Sequence, residues 1–143
     1  MISQTAEYAL RAVTHLAYRA GTPQTAKQIS DATLVPAPYL AKVLQGLARH
    51  GLIQSQRGFH GGFNLVPSPA DLNVWQVIEA VDPIPRIRSC PLGIGTHGLN
   101  LCPLHRLLDD SMAAAEEALK SSTLEQIITT PSRSKPLCTT ESS

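Results

Sequence analysis

The sequence predicts a mainly α-helical protein with a small β-hairpin wing, built as a winged helix-turn-helix plus a long C-terminal dimerisation helix. Three observations predict this fold class. Two short amphipathic helices are joined by a tight turn at Thr33–Pro36. A hairpin with a glycine-rich tip follows them directly. An apolar stripe with nearly heptad spacing then runs from Pro103 to Lys120, which is typical of a helix that needs a partner surface.

The first two helices are indicated by apolar spacing and by capping residues. Apolar residues recur every three or four positions from Ser3 or Thr5 to Arg19, as one buried helical face requires. Thr25 begins a capping-box pattern, so a short helix should start at Ala26.

The third helix and the hairpin come next. The helix should run from Pro38 to His50 with Gly51 as its C-cap, because an apolar stripe ends there at a glycine. Residues 52–56 and 63–66 have strand composition, and the glycine-rich stretch 57–62 between them is typical of a hairpin turn.

The second half contains three more helical segments. Asn73 begins a second capping-box pattern, and Asp82–Pro83 should stop the helix that follows it. A long helix is predicted over 103–120 and one further turn over 123–128. The long helix either packs on its own domain or pairs with the same helix of a second chain, and we expect the second. The predicted dimer interface consists of Leu104, Leu107, Leu108, Met112, Ala115 and Leu119.

Composition and charge narrow the possible classes. The chain has 143 residues, 43% of them hydrophobic, which is enough for a core. No stretch approaches the ~18 apolar residues of a membrane span, and the first residues lack the pattern of a secretory signal. We therefore expect a cytoplasmic protein with no membrane partner. Residues 1–66 carry a net charge of +4 and residues 67–143 a net charge of −3, which favours nucleic-acid contact by the first half.

Candidate DNA contacts lie on three of these elements. The exposed start of the third helix is where a recognition helix meets base edges and phosphates. The hairpin tip can enter a minor groove or touch phosphate, and hydroxyls at the first helix can bind phosphate. Each of these residues, taken alone, is also compatible with an ordinary solvated surface. The predicted DNA-contacting residues are Ser3, Thr5, Gln28, Pro38, Tyr39, Lys42, Gln45, Arg57 and His60.

Residues 90–105 form a loop rich in metal-type ligands. It contains Cys90, His97, Cys102 and His105, and thiolate and imidazole are ligands that soft or borderline metals select. A reducing compartment argues against a disulfide between the two cysteines. Metal or cluster ligation, a reversible thiol switch and inert buried thiols all stay open, and zinc stays open as the metal. Cys138, in the tail, is interpreted as a spare thiol.

Several of these segments together resemble one protein family. Residues 3–11, residues 38–44, the hairpin at 57–65 and the cysteine loop are similar to the Rrf2 family of bacterial regulators, which includes IscR and NsrR. The similarity spans about residues 1–128. It implies a winged-helix homodimer that binds palindromic double-stranded DNA, in many members with an iron–sulfur cluster in the loop before the dimer helix.

The resemblance also implies a set of cluster ligands. Cys90 and Cys102 match the outer two of three cysteines in cluster-binding members, whereas Thr96 stands at the middle position. His105 matches a histidine ligand of part of the family. The implied set is Cys90, Cys102, His105 and Glu7 from the partner chain, with His97 as a substitute. Such mixed ligation suits [2Fe–2S] better than [4Fe–4S], since His replaces Cys on one iron of known two-iron centres.

The predicted function is not enzymatic. No nucleophile–base set or nucleotide-binding loop is found. We expect a regulator that senses redox, iron or nitric oxide status through its cluster. A cluster-free regulator with a thiol switch or a partner protein is one alternative, and a small metal or redox protein that does not bind DNA is another.

The four predicted parts of the chain follow its order. They are a winged-helix domain (1–82), a Cys/His cluster-binding loop (83–102), a dimerisation helix region (103–128) and a disordered tail (129–143).

Overall fold

The structure, a computed structural model, describes residues 2–95 and 100–137. Over these residues it is mainly helical with one two-stranded antiparallel sheet, and the predicted fold class is confirmed. None of the helices in these two ranges has the length and apolar character needed to cross a membrane. The helices are α1 (Gln4–Tyr18), α2 (Ala26–Thr33), α3 (Ala37–Arg49), α4 (Val74–Val81), α5 (Pro103–Lys120) and α6 (Leu124–Thr129). The strands are β1 (Ile53–Gln56) and β2 (Gly62–Leu65), and a 3₁₀ turn covers Pro69–Asp71.

Helix α1 lies at the centre of the core. Ala9, Ala12 and Val13 are completely buried, and the helix packs against α2, α3, α4 and α6. Alanines on the buried face let the neighbouring helices approach closely, as a densely packed interior requires. The predicted helix-turn-helix, α4 and the last helix α6 are therefore positioned against the same helix.

Capping boxes start three of the helices. The side chains of Thr25, Asn73 and Thr123 each accept a hydrogen bond from the backbone three residues later, and a glutamine at that position bonds back. Each cap of this kind stabilises a helix by about 1 kcal/mol. The predicted start of α2 at Ala26 is confirmed, and so is the prediction of α5 over Pro103–Lys120.

The ends of α3 and of the strands differ by one residue from the prediction. His50 is the C-cap of α3, and Gly51 follows it at φ +73°, so the prediction of Gly51 as C-cap was wrong by one position. A left-handed glycine stands just beyond the cap in such helix ends. The Leu52 N–H still donates to Leu47 O at 3.0 Å, which delays the start of β1 to Ile53.

The hairpin is fastened to the helical core by Gln24. We call β1, β2 and their connecting turn the wing (residues 53–65). The backbone of Gln24 exchanges two hydrogen bonds with Phe63 on β2, at 3.0 and 2.7 Å. The buried side chain of Gln24 pairs with His15 of α1, with 3.0 Å between Oε1 and Nε2. Gly62 makes this approach possible, since a Cβ there would lie 2.6 Å from the Gln24 backbone.

We expect Gly62→Ala to detach the wing. The substitution adds a methyl group against backbone atoms at a residue with φ +150°. The free energy of unfolding should fall by about 1–3 kcal/mol or more, as at other strained backbone sites. Urea unfolding followed by circular dichroism measures it. Gly95→Ala is the control, because Gly95 has open space and no positive φ. Equal stability of the two variants would show that the Gln24 contact does not constrain the wing.

Candidate DNA interface and cysteine loop

The helix-turn-helix is held by a short turn between α2 and α3. Leu34 adopts a left-handed conformation at φ 59°, and Val35 is buried with 1% of its surface exposed. The Ser30 hydroxyl donates to Val35 O at 2.7 Å. The burial of Val35 and its hydrogen bond with Ser30 therefore help to fix the direction in which α3 leaves α2.

Helix α3 buries one face and exposes the other, as the sequence predicts. Leu40, Val43 and Leu47 lie in the core. On the opposite side all four predicted contact residues are exposed, namely Pro38, Tyr39, Lys42 and Gln45. We call these four residues the α3 face. Their side chains are free to meet a duplex without any change in the core.

Two clefts extend the α3 face toward neighbouring elements. A cleft of about 120 Å³ between α1 and α3 is lined in part by Thr5, Tyr39 and Lys42. A groove of about 370 Å³ on the other side of α3 is lined in part by Lys42, Gln45 and Phe63 of the wing. The structure thus brings Thr5, the α3 face and the wing into one continuous surface.

The wing tip contains an aromatic residue that is not among the predicted DNA contacts. Arg57 and His60 are exposed as predicted. Phe59 between them is fully exposed, with its ring edge-on to His60 at 5.4 Å between centroids. An aromatic residue beside the tip glycines was the available signal, since apolar side chains can wedge into a minor groove.

Two predicted DNA contacts also have structural roles. The Ser3 hydroxyl caps α1 by accepting from Ala6 N at 3.1 Å. The side-chain oxygen Oε1 of Gln28 accepts a hydrogen bond from Thr25 N at 2.8 Å within the capping box of α2. Contacts of Ser3 and Gln28 with DNA stay predictions.

Cys102 and His105 face each other at the start of α5. Cys102 is the N-cap residue, and its Sγ lies 3.3 Å from Nδ1 of His105 one turn later. Both residues are partly buried. A thiol and an imidazole are donors of the types that iron and zinc take.

Among the described residues of the protomer, Cys90 and Glu7 do not form a group with this pair. Cys90 is a partly buried free thiol. Glu7 lies on α1, where its carboxylate pairs with Arg11 at 2.8 Å. Within residues 2–95 and 100–137 no three His, Cys, Asp or Glu residues form a metal-binding group. His97, Thr96 and Cys138 lie outside the described residues.

A network of charged groups joins the segment just before the cysteine loop to α5. Arg86 binds Asp109 through two parallel bonds, Nε–Oδ1 at 2.7 Å and Nη2–Oδ2 at 3.0 Å. The Ile87 N–H donates to the same carboxylate at 2.9 Å. Arg86 also reaches Glu116 at 2.9 Å, which in turn pairs with Lys120 at 2.8 Å. No sequence pattern indicates the bonds of Arg86, because its partners are about 20 to 30 residues away, beyond the reach of helical spacing rules.

The network changes the ionisation of its members. The bidentate bond from Arg86 and then the Ile87 N–H lower the pKa of Asp109 to about 2. The bond from Lys120 lowers the pKa of Glu116, with a further contribution from Arg86. The two carboxylates in turn raise the pKa of Arg86. All three groups are therefore charged at neutral pH.

The predicted dimer stripe divides along the length of α5, between its N-terminal and its C-terminal part. Met112 and Leu119 are partly buried and pack against the protomer's own core. Ala115 is also partly buried. In contrast Leu104, Leu107 and Leu108 are exposed, with 63% of Leu107 accessible. The exposed part of the stripe is the part open to a second chain.

Comparison with known proteins points to one family. A family profile described as "Rrf2: Iron-dependent Transcriptional regulator" matches residues 2–130. A protein of Aquifex aeolicus, named provisionally as an HTH-type transcriptional regulator, is 27% identical over 131 residues, covering 90% of this chain and 91% of its own. The regulator NsrR of Shouchella clausii is 26% identical over 125 residues, covering 85% and 84%.

Two solved structures share the architecture. The structure of CymR, the global cysteine regulator of B. subtilis, is similar with a TM-score of 0.76 and 26% identity, covering 92% of this chain and 98% of that one. The structure of IscR from T. potens is similar with a TM-score of 0.74, and the match covers 89% of this chain and 85% of that one. Its 24% identity supports the shared fold alone.

We expect the contribution of Asp109 to the stability of the fold to decrease at low pH. Its carboxylate has a folded-state pKa of about 2, below the ordinary value of 3.8. Such a group stabilises the fold fully above its unfolded-state pKa, and the effect is lost as the pH falls through the folded-state value. Asp109→Asn should therefore destabilise the protein near neutral pH, and the difference from wild type should shrink as the pH falls from about 4 to about 2.

Urea unfolding at several pH values measures this effect. The fluorescence of Trp75, the single tryptophan, reports on the network because Lys120 Nζ lies 5.7 Å from the centre of its ring. Asp31→Asn is the control, since Asp31 forms an exposed pair with Lys27. A difference between Asp109→Asn and wild type that stays constant down to about pH 2 would contradict the expectation.

Proposed function

Because the chain belongs to the Rrf2 family of transcriptional regulators, we propose that it is a homodimeric, cluster-sensing regulator of a palindromic operator. The observation that carries the DNA-binding part is the continuous surface of Thr5, the α3 face and the wing. Cluster sensing is supported by the Cys102–His105 pair and by the second free thiol in the preceding loop, Cys90.

In the proposed complex α3 enters the major groove and the wing lies beside the duplex. Lys42 contacts phosphate or a base edge, and Gln45 is placed for base contact. Arg57 and the exposed ring of Phe59 lie at the wing tip, where a minor groove or a phosphate would be met. Two subunits would read half-sites about one helical turn apart, roughly 34 Å, or a multiple of that distance.

The proposed cluster site uses donors from the cysteine loop and from α1. Cys102 and His105 provide a thiolate and an imidazole, Cys90 a second thiolate, and Glu7 of the partner subunit or His97 would complete the set. A [2Fe–2S] cluster, when bound, would supply one-electron redox chemistry. Zinc fits the same donor types and is the alternative metal.

Contacts around Glu7 suggest how the site and the α3 face are coupled. Arg11 pairs with Glu7 and also donates to Thr33 O at the end of α2, at 3.2 Å. The same guanidinium lies 5.3 Å from the ring centre of Tyr8, which contacts the ring of Tyr39. A Glu7 carboxylate that turns toward a ligand role would leave Arg11. The contacts that hold Tyr39 and the end of α2 would then change.

A cluster-free regulator is the second candidate. Cys90 and Cys102 are both free and partly buried, so they could instead form a reversible thiol switch. This candidate shares the DNA interface and differs only in what the loop senses. Iron content separates the two.

We expect Arg57→Ala to weaken binding to operator and random duplexes alike. Loss of one phosphate contact should lower the slope of log affinity against log salt by about 1. Fluorescence anisotropy over a range of salt concentrations measures both quantities. Arg19→Ala is the control, because it removes the same charge at an exposed site at the end of α1. An unchanged slope for Arg57→Ala would remove Arg57 from the interface.

We expect Leu107→Asp to convert a dimer into a folded monomer. The side chain is exposed in the protomer, so the charge is tolerated there, but burying it unpaired between subunits costs several kcal/mol, about 3 or more. Light scattering at micromolar concentration gives the mass, and circular dichroism checks the fold. Leu34→Asp is the control, since Leu34 is exposed far along the chain from α5. A dimeric Leu107→Asp protein would exclude this face, and a monomeric wild type would exclude the dimer.

We expect iron to depend on the loop cysteines. Cys90→Ala and Cys102→Ala should lose visible absorbance and iron in protein purified without oxygen, because each removes one thiolate ligand. Cys138→Ala should keep both. Elemental analysis and absorbance spectra measure the effect. Colourless wild-type protein that resists reconstitution and contains no zinc by elemental analysis would leave the thiol switch as the remaining candidate.

A further inference from the structure

The network around Arg86 is built more rigidly than an ordinary surface ion pair. Its guanidinium makes two parallel bonds to Asp109 and a third bond to Glu116. The side chains of Arg86, Asp109 and Glu116 are 30%, 16% and 20% exposed, so water screens them only in part. Because the Ile87 N–H binds the same carboxylate, the backbone is held as well as the side chain.

Asp109 lies on the same side of α5 as the proposed ligands. Cys102, His105 and Asp109 are three and four residues apart, which places them along one helical face. With a rise of 1.5 Å per residue, Asp109 lies about 6 Å from His105 and about 10 Å from Cys102 along the axis.

The chain length between the network and Cys90 matches this separation. Cys90 follows Ile87 by three residues, which can span at most about 10–11 Å. A segment fixed at Ile87 can therefore just bring Cys90 to the Cys102–His105 pair. Without the fixed point, Cys90 is tethered to Cys102 only through the eleven residues between them.

We infer that Arg86 and Asp109 form a clamp that holds the segment leading to Cys90 against the Cys102–His105 face of α5, as positioning residues for the site. The inference rests on the ligand set proposed above, but it concerns the thiols of the iron-free chain. The clamp shortens the tether of Cys90 from about twelve residues to about three. Loop-closure statistics give a gain of roughly fivefold to tenfold in local concentration for such a change.

The test measures how often Cys90 meets Cys102 without iron or DNA. Full-length apoprotein carrying Cys138→Ala is equilibrated in mixtures of reduced and oxidised glutathione. Formation of the Cys90–Cys102 disulfide oxidises two thiols and reduces one glutathione disulfide to two glutathiones. Mass spectrometry of alkylated samples gives the equilibrium constant, which is the effective concentration of one thiol for the other.

Asp109→Asn should lower this effective concentration roughly fivefold to tenfold. Glu116→Gln is the matched control: it removes a charge from the same network but leaves the bidentate pair and the Ile87 bond, and its value should stay within about twofold. Arg86→Lys keeps the charge, loses the fork geometry and should behave like Asp109→Asn. If circular dichroism shows that Asp109→Asn is unfolded, Arg86→Lys serves as the test variant in its place.

Three results would overturn the inference. They are an unchanged value in folded Asp109→Asn and Arg86→Lys, an equal loss in Glu116→Gln, and a parent protein whose two thiols do not pair. None depends on iron or operator binding, so failure of the clamp is distinguishable from failure of the proposed function. If the clamp holds and the protein lacks iron, the same geometry serves the thiol switch.

Discussion

The close packing of α1 against four other helices is the constraint on which this structure depends. Alanines on its buried face leave no room for larger side chains, so α2, α3, α4 and α6 take their positions from one axis. Its exposed side carries Glu7 and Arg11, and Arg11 contacts the end of α2. One helix therefore orients the DNA-binding elements and also presents the acidic side chain proposed to reach the partner's site. Arg11 contacts both Glu7 and the end of α2, so one side chain connects the two.

Sequence patterns predicted the elements whose cause is local. The capping boxes at Thr25 and Asn73 fixed the starts of α2 and α4, because the bonds involved join residues three positions apart. The exposed α3 face followed from helical periodicity alone. By contrast, no local pattern indicates that Gln24 would bind Phe63 or that Arg86 would bind Asp109. Such pairs depend on which elements meet in three dimensions, so they became visible only in the folded chain.

Helix α5 shows a further limit of periodicity. Apolar residues at three- and four-residue steps were interpreted as one dimer stripe, yet Met112 and Leu119 serve the protomer's core while Leu104 and Leu107 are exposed. These residues lie on roughly one side of α5, but only the C-terminal part of that side reaches the protomer's core. Periodicity predicts which side of a helix is apolar and does not predict how far along the helix a partner surface extends. The polar positions between them, which include Asp109 and Glu116, join the helix to the start of the cysteine loop.

Coupling between the loop and DNA affinity is the central claim, and operator affinity with and without iron tests it most directly. One anaerobic preparation is divided, one part is stripped of iron by a chelator, and both are titrated with the same genomically footprinted duplex and with a random duplex at fixed salt. We predict that loading with iron changes operator affinity about 5–150-fold, as for a coupling free energy of roughly 1–3 kcal/mol. Affinity for the random duplex should change much less. Equal operator affinity of iron-loaded and iron-free dimers would contradict the claim.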